Sequence, residues 1–214
     1  MRRATLIGAI AAVLVPAALA ANGDPQKKLT KADQARARAA SLRLGDFPAG
    51  WRAERSPSSS SEPRCSNYNP DQSDLVETGD YDSPDFTRAD GSFVSSSTGV
   101  FRTARMARTA YARVVRPELP DCFAELFRKG TGNPKAVKIL GSGTLAFPAY
   151  GDRSNAYRLR ATYTAQGQTV GLTIDIVVFN QGRVDVATIF LGLGRPLPTA
   201  FERSLIDRLA ARAH

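Results

Sequence analysis

The last third of the chain contains three apolar stretches separated by two short glycine-containing connections. The stretches span residues 154–164, 169–179 and 183–191, and the connections carry Gln166-Gly167 and Gln181-Gly182. Two-residue loops of this kind join neighbouring antiparallel strands. The sequence therefore predicts a three-stranded antiparallel meander, in which the loops fix the register.

This register distributes the apolar side chains over both faces of the meander. Leu159 is predicted to lie opposite Ile174 and Ile174 opposite Ile189, while Arg158 lies opposite Asp175 as a cross-strand ion pair. The apolar positions of the first face are Leu159, Leu172, Ile174, Ile176 and Ile189, and those of the second are Val177, Phe179, Val184, Val186 and Phe190. Because a sheet that is apolar on both faces must be covered on both, the predicted fold class is α+β, an antiparallel sheet with helices packed on both faces.

Amphipathic helices are available to cover the sheet. Thr30 is predicted to cap a first helix, Thr103 caps a second that ends before Pro117, and residues 120–129 form a third. A last helix begins after Pro198, with Thr199 and Glu202 as a predicted capping box. Further strands are expected over residues 92–101 and 135–140.

Residues 1–20 have the three parts of a secretory signal peptide. Arg2 and Arg3 precede an apolar run over residues 4–15, and Ala18-Leu19-Ala20 is a cleavage site. The alternative is an uncleaved membrane anchor, because residues 4–21 reach the lower limit of a spanning length of roughly 17–25. With cleavage, residues 21–214 form a single α+β domain with a formal charge of +7, without a stable membrane span and located outside the cytoplasm, secreted or in the cell envelope.

Cys65 and Cys122 are the only cysteines of the chain. In an oxidising compartment such a pair is predicted to form a disulfide that closes a loop of 57 residues. Two buried thiols are the alternative.

The chain has a single histidine, so it offers little for histidine-based catalysis or metal binding. The one histidine, His214, is the last residue, so a Ser-His-Asp triad, a Cys-His pair and a histidine metal site are not expected. We expect no enzymatic activity and no cofactor, with a carboxylate-based hydrolase as the alternative.

Residues 56–90 are rich in Ser, Pro and acidic side chains and are predicted to be an irregular acidic loop region. Its densest acidic group could suggest calcium, which prefers clustered oxygen ligands: Asp71, Asp74, Glu77, Asp80, Asp82 and Asp85. However, Ser83 and Pro84 stand where a calcium-binding loop needs an acid and a glycine. A solvated acidic loop is favoured, and no metal site is predicted.

The second predicted helix carries five arginines opposite its apolar stripe: Arg102, Arg105, Arg108, Arg113 and Arg116. Such a face could contact anionic lipid headgroups or wall polymers, since charge attraction needs no specific geometry. The alternative is a solvated helix surface. Nucleic acid is not an expected partner, because no nucleic-acid-binding motif is visible.

Four aromatic residues are candidates for an apolar ligand pocket between the sheet and the helices. They are Phe47, Trp51, Tyr111 and Tyr157. Their alternative role is as ordinary core residues.

The layout also resembles a known family. The features that carry the resemblance are the leader, residues 44–51 (LGDFPAGW), the two cysteines, Gly151-Asp152 and residues 177–183 (VVFNQGR). They are similar to secreted or lipid-anchored actinobacterial sensor-like proteins related to the extracellular domain of a mycobacterial serine/threonine kinase. That domain has two cysteine pairs where this chain has one.

The resemblance implies a Mog1/PsbP-like fold and a non-catalytic role. We therefore expect a monomeric, secreted sensor-like domain that binds a small apolar or amphipathic ligand or an envelope partner. The alternative is an envelope-interaction module that uses the arginine-rich helix face.

Overall fold

The computed structural model describes residues 23–54 and 65–214, so the predicted signal peptide lies outside the described residues. The strands are β1 (Gln26–Lys27), β2 (Trp51–Glu54), β3 (Val76–Asp82), β4 (Asp85–Arg88), β5 (Phe93–Phe101), β6 (Val137–Thr144), β7 (Arg153–Ala165), β8 (Gln168–Gln181) and β9 (Val184–Leu193). The α-helices are α1 (Lys31–Ala39), α2 (Ala104–Val114), α3 (Leu119–Gly130) and α4 (Thr199–Arg212), with short 3-10 turns at Leu44–Asp46 and Pro134–Ala136.

The strands form one nine-stranded sheet with the order β1-β3-β5-β9-β8-β7-β6. The pair of β2 and β4 joins this path through β4, which pairs with β5. All pairings are antiparallel except that of β1 with β3. The predicted α+β class and the meander of β7, β8 and β9 are thereby confirmed.

The first hairpin has the predicted register and the second is displaced by two residues. Leu159 pairs with Ile174 as expected, and Gln166 and Gly167 both have positive φ, as a type I′ turn requires. In the second hairpin Gln181 pairs with Val184, so the loop is Gly182-Arg183. Consequently Ile174 lies opposite Leu191, and the predicted partner, Ile189, lies opposite Ile176. Because the displacement is an even number of residues, every side chain keeps its predicted face.

Helices cover both faces of the sheet, as predicted. On one face, α2 and α3 contribute Tyr111, Leu119 and Phe127 to a cluster that also holds the apolar side chains of the first predicted face. On the other face, α1 and α4 contribute Ala37, Leu205 and Leu209 to a cluster with the side chains of the second predicted face. The sheet therefore separates two cores.

The prediction that residues 56–90 are irregular is wrong for two segments, because β3 and β4 lie within this range. The polar side chains of β3 obtain partners from neighbouring elements: the Thr78 hydroxyl donates to the Val100 carbonyl (3.1 Å), and the Asp80 amide donates to Gln34 Oε1 (2.7 Å). Lys27 of β1 also forms an ion pair with Asp80 (2.6 Å). These partners are distant in sequence, so the composition of β3 alone does not indicate a strand.

The predicted disulfide is present between Cys65 and Cys122, whose Cα atoms are 5.4 Å apart. It attaches the chain after residue 64 to the buried side of α3. Among the described residues, no helix combines the length and apolar character needed to cross a membrane.

The start of α4 differs from the predicted capping box. Pro198 occupies the N-cap, and its ring has no group that could accept a capping hydrogen bond. Thr199 is already helical. Glu202 turns away from the helix start and is buried against the sheet.

Candidate functional sites

The helix α2 begins at Thr103, whose hydroxyl accepts a hydrogen bond from the Met106 amide (3.1 Å). Ala107, Ala110 and Tyr111 form its buried side. Arg105 and Arg108 on the helix, and Arg102 and Arg116 just before and after it, are exposed and form no ion pair among the described residues. We call these four residues the arginine face.

Arg113, the fifth predicted contact residue, is engaged within the protein. Its guanidinium forms an ion pair with the Asp74 carboxylate and donates to the Asp71 carbonyl (2.8 Å). The hydrogen bond and charge of Asp74 raise the pKa of Arg113, and the hydrogen bond and charge of Arg113 lower the pKa of Asp74. Arg113 therefore ties α2 to the segment before β3 and does not belong to the arginine face.

The two ends of α2 differ in how their charges interact with the helix dipole: Arg113 in the last turn is favourable, and the first turn is not. The first turns of α1 and α3 hold Asp33 and Asp121, whereas the first turn of α2 has no acid. Arg105 stands in that turn instead, and a cation near a helix N-terminus typically costs about 0.3–1 kcal/mol. A bound anion would offset this cost and would also face the amide groups of the helix start.

The four candidate pocket aromatics do not form one site. The Phe47 and Trp51 rings lie 5.0 Å apart in the core beneath α1 and α4. Tyr111 and Tyr157 lie in the core beneath α2 and α3. The prediction that all four line one pocket is wrong because the sheet stands between the two pairs.

Other side chains of the protein occupy the space around each aromatic pair. The Trp51 ring stacks on Phe201 with centroids 5.4 Å apart, and the Phe47 ring stacks on Phe86 at 4.3 Å. The Tyr111 hydroxyl donates to Asn155 Oδ1 (2.8 Å). These contacts are those of core residues.

An open groove of about 690 Å³ lies between α3 and β6. Its lining residues are Ser66, Asp121, Ala124, Glu125, Arg128, Lys129, Pro134, Ile139 and Ser142. At one end the Ser142 hydroxyl donates to Asp121 (3.0 Å), and along the helix Lys129 forms an ion pair with Glu125 (2.6 Å). Glu125 also accepts hydrogen bonds from Ser66, next to the disulfide. The predicted sites did not include this groove, because α3 and β6 each look like ordinary amphipathic elements in sequence.

A buried group of charges lies between the sheet and α4. Arg158 donates two hydrogen bonds to Asp175 (2.6 and 2.5 Å), which confirms the predicted cross-strand pair. Glu202 is only 1% exposed, and no donor among the described residues reaches its carboxyl oxygens, which lie beside the Asp175 carboxylate. Burial, and then the charge of Asp175, raise the pKa of Glu202. A protonated Glu202 beside the ion pair is the arrangement that avoids a second buried negative charge.

A second pair of buried carboxyl groups lies on the opposite face. Glu77 sits over Gly99, where a Cβ atom would come within 2.7 Å of Glu77 Oε1, and Gly99 pairs with Asp185 in the sheet. Burial, and then the charge of Asp80, raise the pKa of Glu77 to about 7, and burial raises the pKa of Asp185. Asn180 Nδ2 donates to Asp185 (2.6 Å). Within the described parts of the chain, no cluster of three or more His, Cys, Asp or Glu side chains could hold a metal ion.

Residues 23–54 and 65–214 therefore define an α+β domain with a two-sided sheet, a helix with an arginine face and an open groove. No family model and no curated protein matches this chain. A solved structure that resembles it is LpqN, described as involved in cell envelope biogenesis of Mycobacterium tuberculosis. The likeness has a TM-score of 0.27 and 14% identity, and it covers 75% of this chain and 73% of that one. A likeness this slight supports no inference, and the Mog1/PsbP-like fold and the kinase relation stay predictions.

Proposed function

We propose that this chain is a non-enzymatic domain located outside the cytoplasm that binds anionic, phosphate-bearing surfaces through its arginine face. The observation that carries the proposal is the exposure of four arginines in α2 and its two flanking segments, none of which forms an ion pair among the described residues.

The disulfide supports a location outside the cytoplasm. Disulfides form and persist in oxidising compartments, and Cys65–Cys122 joins two segments of the domain core. The signal-peptide pattern of residues 1–20 agrees with export. In a cell envelope, lipid headgroups and wall polymers both present phosphate groups to such a surface.

The test is cosedimentation with vesicles that contain phosphatidylglycerol, compared with vesicles of phosphatidylcholine. The variant Arg102→Gln/Arg105→Gln/Arg108→Gln/Arg116→Gln removes the arginine face. At about 1 kcal/mol per arginine near an anionic membrane, affinity is expected to fall on the order of 100-fold or more.

A matched control separates the arginine face from net charge. The variant Arg52→Gln/Arg195→Gln/Arg203→Gln/Arg208→Gln removes the same charge from other exposed positions and is expected to bind within a few fold of wild type. Equal loss in both variants would overturn the proposal. A parallel arm with purified anionic wall polymer shows which of the two phosphate sources is bound more tightly.

A further inference from the structure

The strand β6 forms one edge of the sheet, and half of it lacks the usual protection of an edge strand. The order of strands ends at β6, and no described residue makes a backbone hydrogen bond to its outer side. The first half carries Lys138 and an irregularity between Ile139 and Gly141 that leaves Leu140 54% exposed. A lysine and a bulge are typical devices against edge pairing. The second half, residues 141–144 (GSGT), has neither.

The backbone amide and carbonyl groups of Ser142 and Thr144 point toward the outer edge of the sheet, away from β7. The Leu145 amide, just after β6, donates to the Ala156 carbonyl of β7 (2.8 Å). Because successive residues of a strand direct their backbone groups to opposite edges, Gly143 also points toward β7. Thr144 and Ser142 therefore present their amide and carbonyl groups outward, with the spacing of a β-ladder.

The groove described above lies beside this free edge. Ile139 and Ser142 of β6 form one wall and α3 forms the other. A strand added to β6 would direct every second side chain toward α3, into the groove. An edge strand flanked by a helix thus offers both a ladder for a peptide backbone and a recess for its side chains.

The charges along the groove indicate what the inward side chain should be. Glu125 is paired with Lys129 and accepts from Ser66, whereas Asp121, at the end of the groove beside Ser142, accepts only from the Ser142 hydroxyl among the described residues and keeps its charge. Arg128 lines the groove, is exposed and has no ion-pair partner among the described residues. The chain passes from the end of α3 through Pro134–Ala136 into β6, so Arg128 stands near the beginning of the strand.

From this arrangement we infer that the groove binds an extended acidic peptide, which pairs with residues 141–144 of β6 as an outer strand and continues along the groove, past the irregularity, so that a carboxylate lies at Arg128, at the end away from Asp121. The site is separate from the arginine face, so either proposal can fail without the other. The peptide backbone supplies binding energy through the ladder, and the carboxylate supplies selectivity.

The probe is the peptide acetyl-SVEVTV-amide, with acetyl-SVQVTV-amide as its uncharged counterpart. Binding is measured by calorimetry, and the amides of Ser142 and Thr144 are followed by NMR hydrogen exchange. We expect the acidic peptide to bind roughly twofold to fivefold more tightly and to protect both amides from exchange. Absence of protection at these amides in the wild-type protein with peptide in excess would overturn strand addition without any need for a variant.

Two pairs of variants assign the contacts. Thr144→Pro removes an outward amide without a bond to β7 and should abolish binding, whereas Thr144→Ala keeps the amide and should bind within twofold of wild type. Arg128→Gln should remove the preference for the acidic peptide, whereas Arg108→Gln on α2 should leave it unchanged. Peptide binding that persists in a folded Thr144→Pro protein contradicts the inference. So does self-association of the free protein that Thr144→Pro removes, because the edge would then take a second copy of this chain.

Discussion

Burial of Glu77 makes the stability of the domain depend on pH in a direction that can be worked out. The pKa of Glu77 is raised from 4.5 to about 7 by burial and by the charge of Asp80. Below pH 4 the residue is protonated in both the folded and the unfolded chain, and no difference arises. As pH rises through 4.5, the unfolded chain releases the proton first, so the free energy of unfolding falls until Glu77 also ionises in the folded protein, near pH 7.

The size of this effect follows from the shift. At about 1.4 kcal/mol per pKa unit, the difference between 4.5 and about 7 corresponds to about 3 kcal/mol at and above pH 8. The substitution Glu77→Gln keeps the shape and removes the charge. We expect it to raise the free energy of unfolding by about 1–3 kcal/mol at pH 8.5 and to change it little at pH 4. The substitution also removes the negative charge of Glu77 from the neighbourhood of Asp185, whose pKa that charge helps to raise. This change also increases the free energy of unfolding at high pH.

The assay is urea unfolding followed by circular dichroism at pH 4, 6 and 8.5. Glu118→Gln, at an exposed position, serves as the control and should reproduce the wild-type pH dependence. An equal loss of stability in Glu77→Gln at pH 4 and pH 8.5 would refute the reasoning, since it would mean that the carboxylate forms a favourable contact in the folded protein.

Two further predictions concern the stability of the fold. Asp175→Ala removes the partner of the half-buried Arg158 and should lower the free energy of unfolding by about 1–3 kcal/mol, because Arg158 keeps some access to solvent and Glu202 can ionise beside it. Asp90→Ala, which removes an exposed pair with Arg88 and a hydrogen bond from the Ser92 amide, should cost less than about 1 kcal/mol in the same urea titration. A smaller loss for Asp175→Ala than for Asp90→Ala would show that burial of the pair contributes nothing. Reduction of Cys65–Cys122 releases a loop of 57 residues and should lower the free energy of unfolding by about 4 kcal/mol, measured with and without reductant. Two reactive thiols in the unreduced, denatured protein would contradict the bridge.

The sequence predicted the meander well because three independent signals agree there. The turn at Gln166-Gly167, the charge pair Arg158–Asp175 and the apolar alternation all specify one register. The second hairpin had only one such signal, the segment around Gly182. Glycine can occupy either loop position, and the choice between them shifts the register by two residues without moving a side chain to the other face.

The candidate sites were harder to predict because they depend on contacts between distant segments. Nothing local distinguishes Arg113 from the four exposed arginines; Asp74, 39 residues away in sequence, engages it. Similarly, Phe47 and Tyr111 are both large aromatics near helices, and only the order of strands places a sheet between them. Glu202 matched a helix-capping pattern, yet the proline at the N-cap offers no capping side chain and the glutamate turns toward Asp175.

The most direct test of the proposed function is the salt dependence of binding to phosphatidylglycerol vesicles, measured for the wild-type protein and for the variant without the arginine face. Charge attraction at an exposed surface weakens steeply as salt is added. We predict that the wild-type affinity falls strongly between roughly 50 and 300 mM salt, over which the screening length drops below about 10 Å, and that the affinity of the variant changes little. Parallel salt dependences for the two proteins would contradict binding through the arginine face.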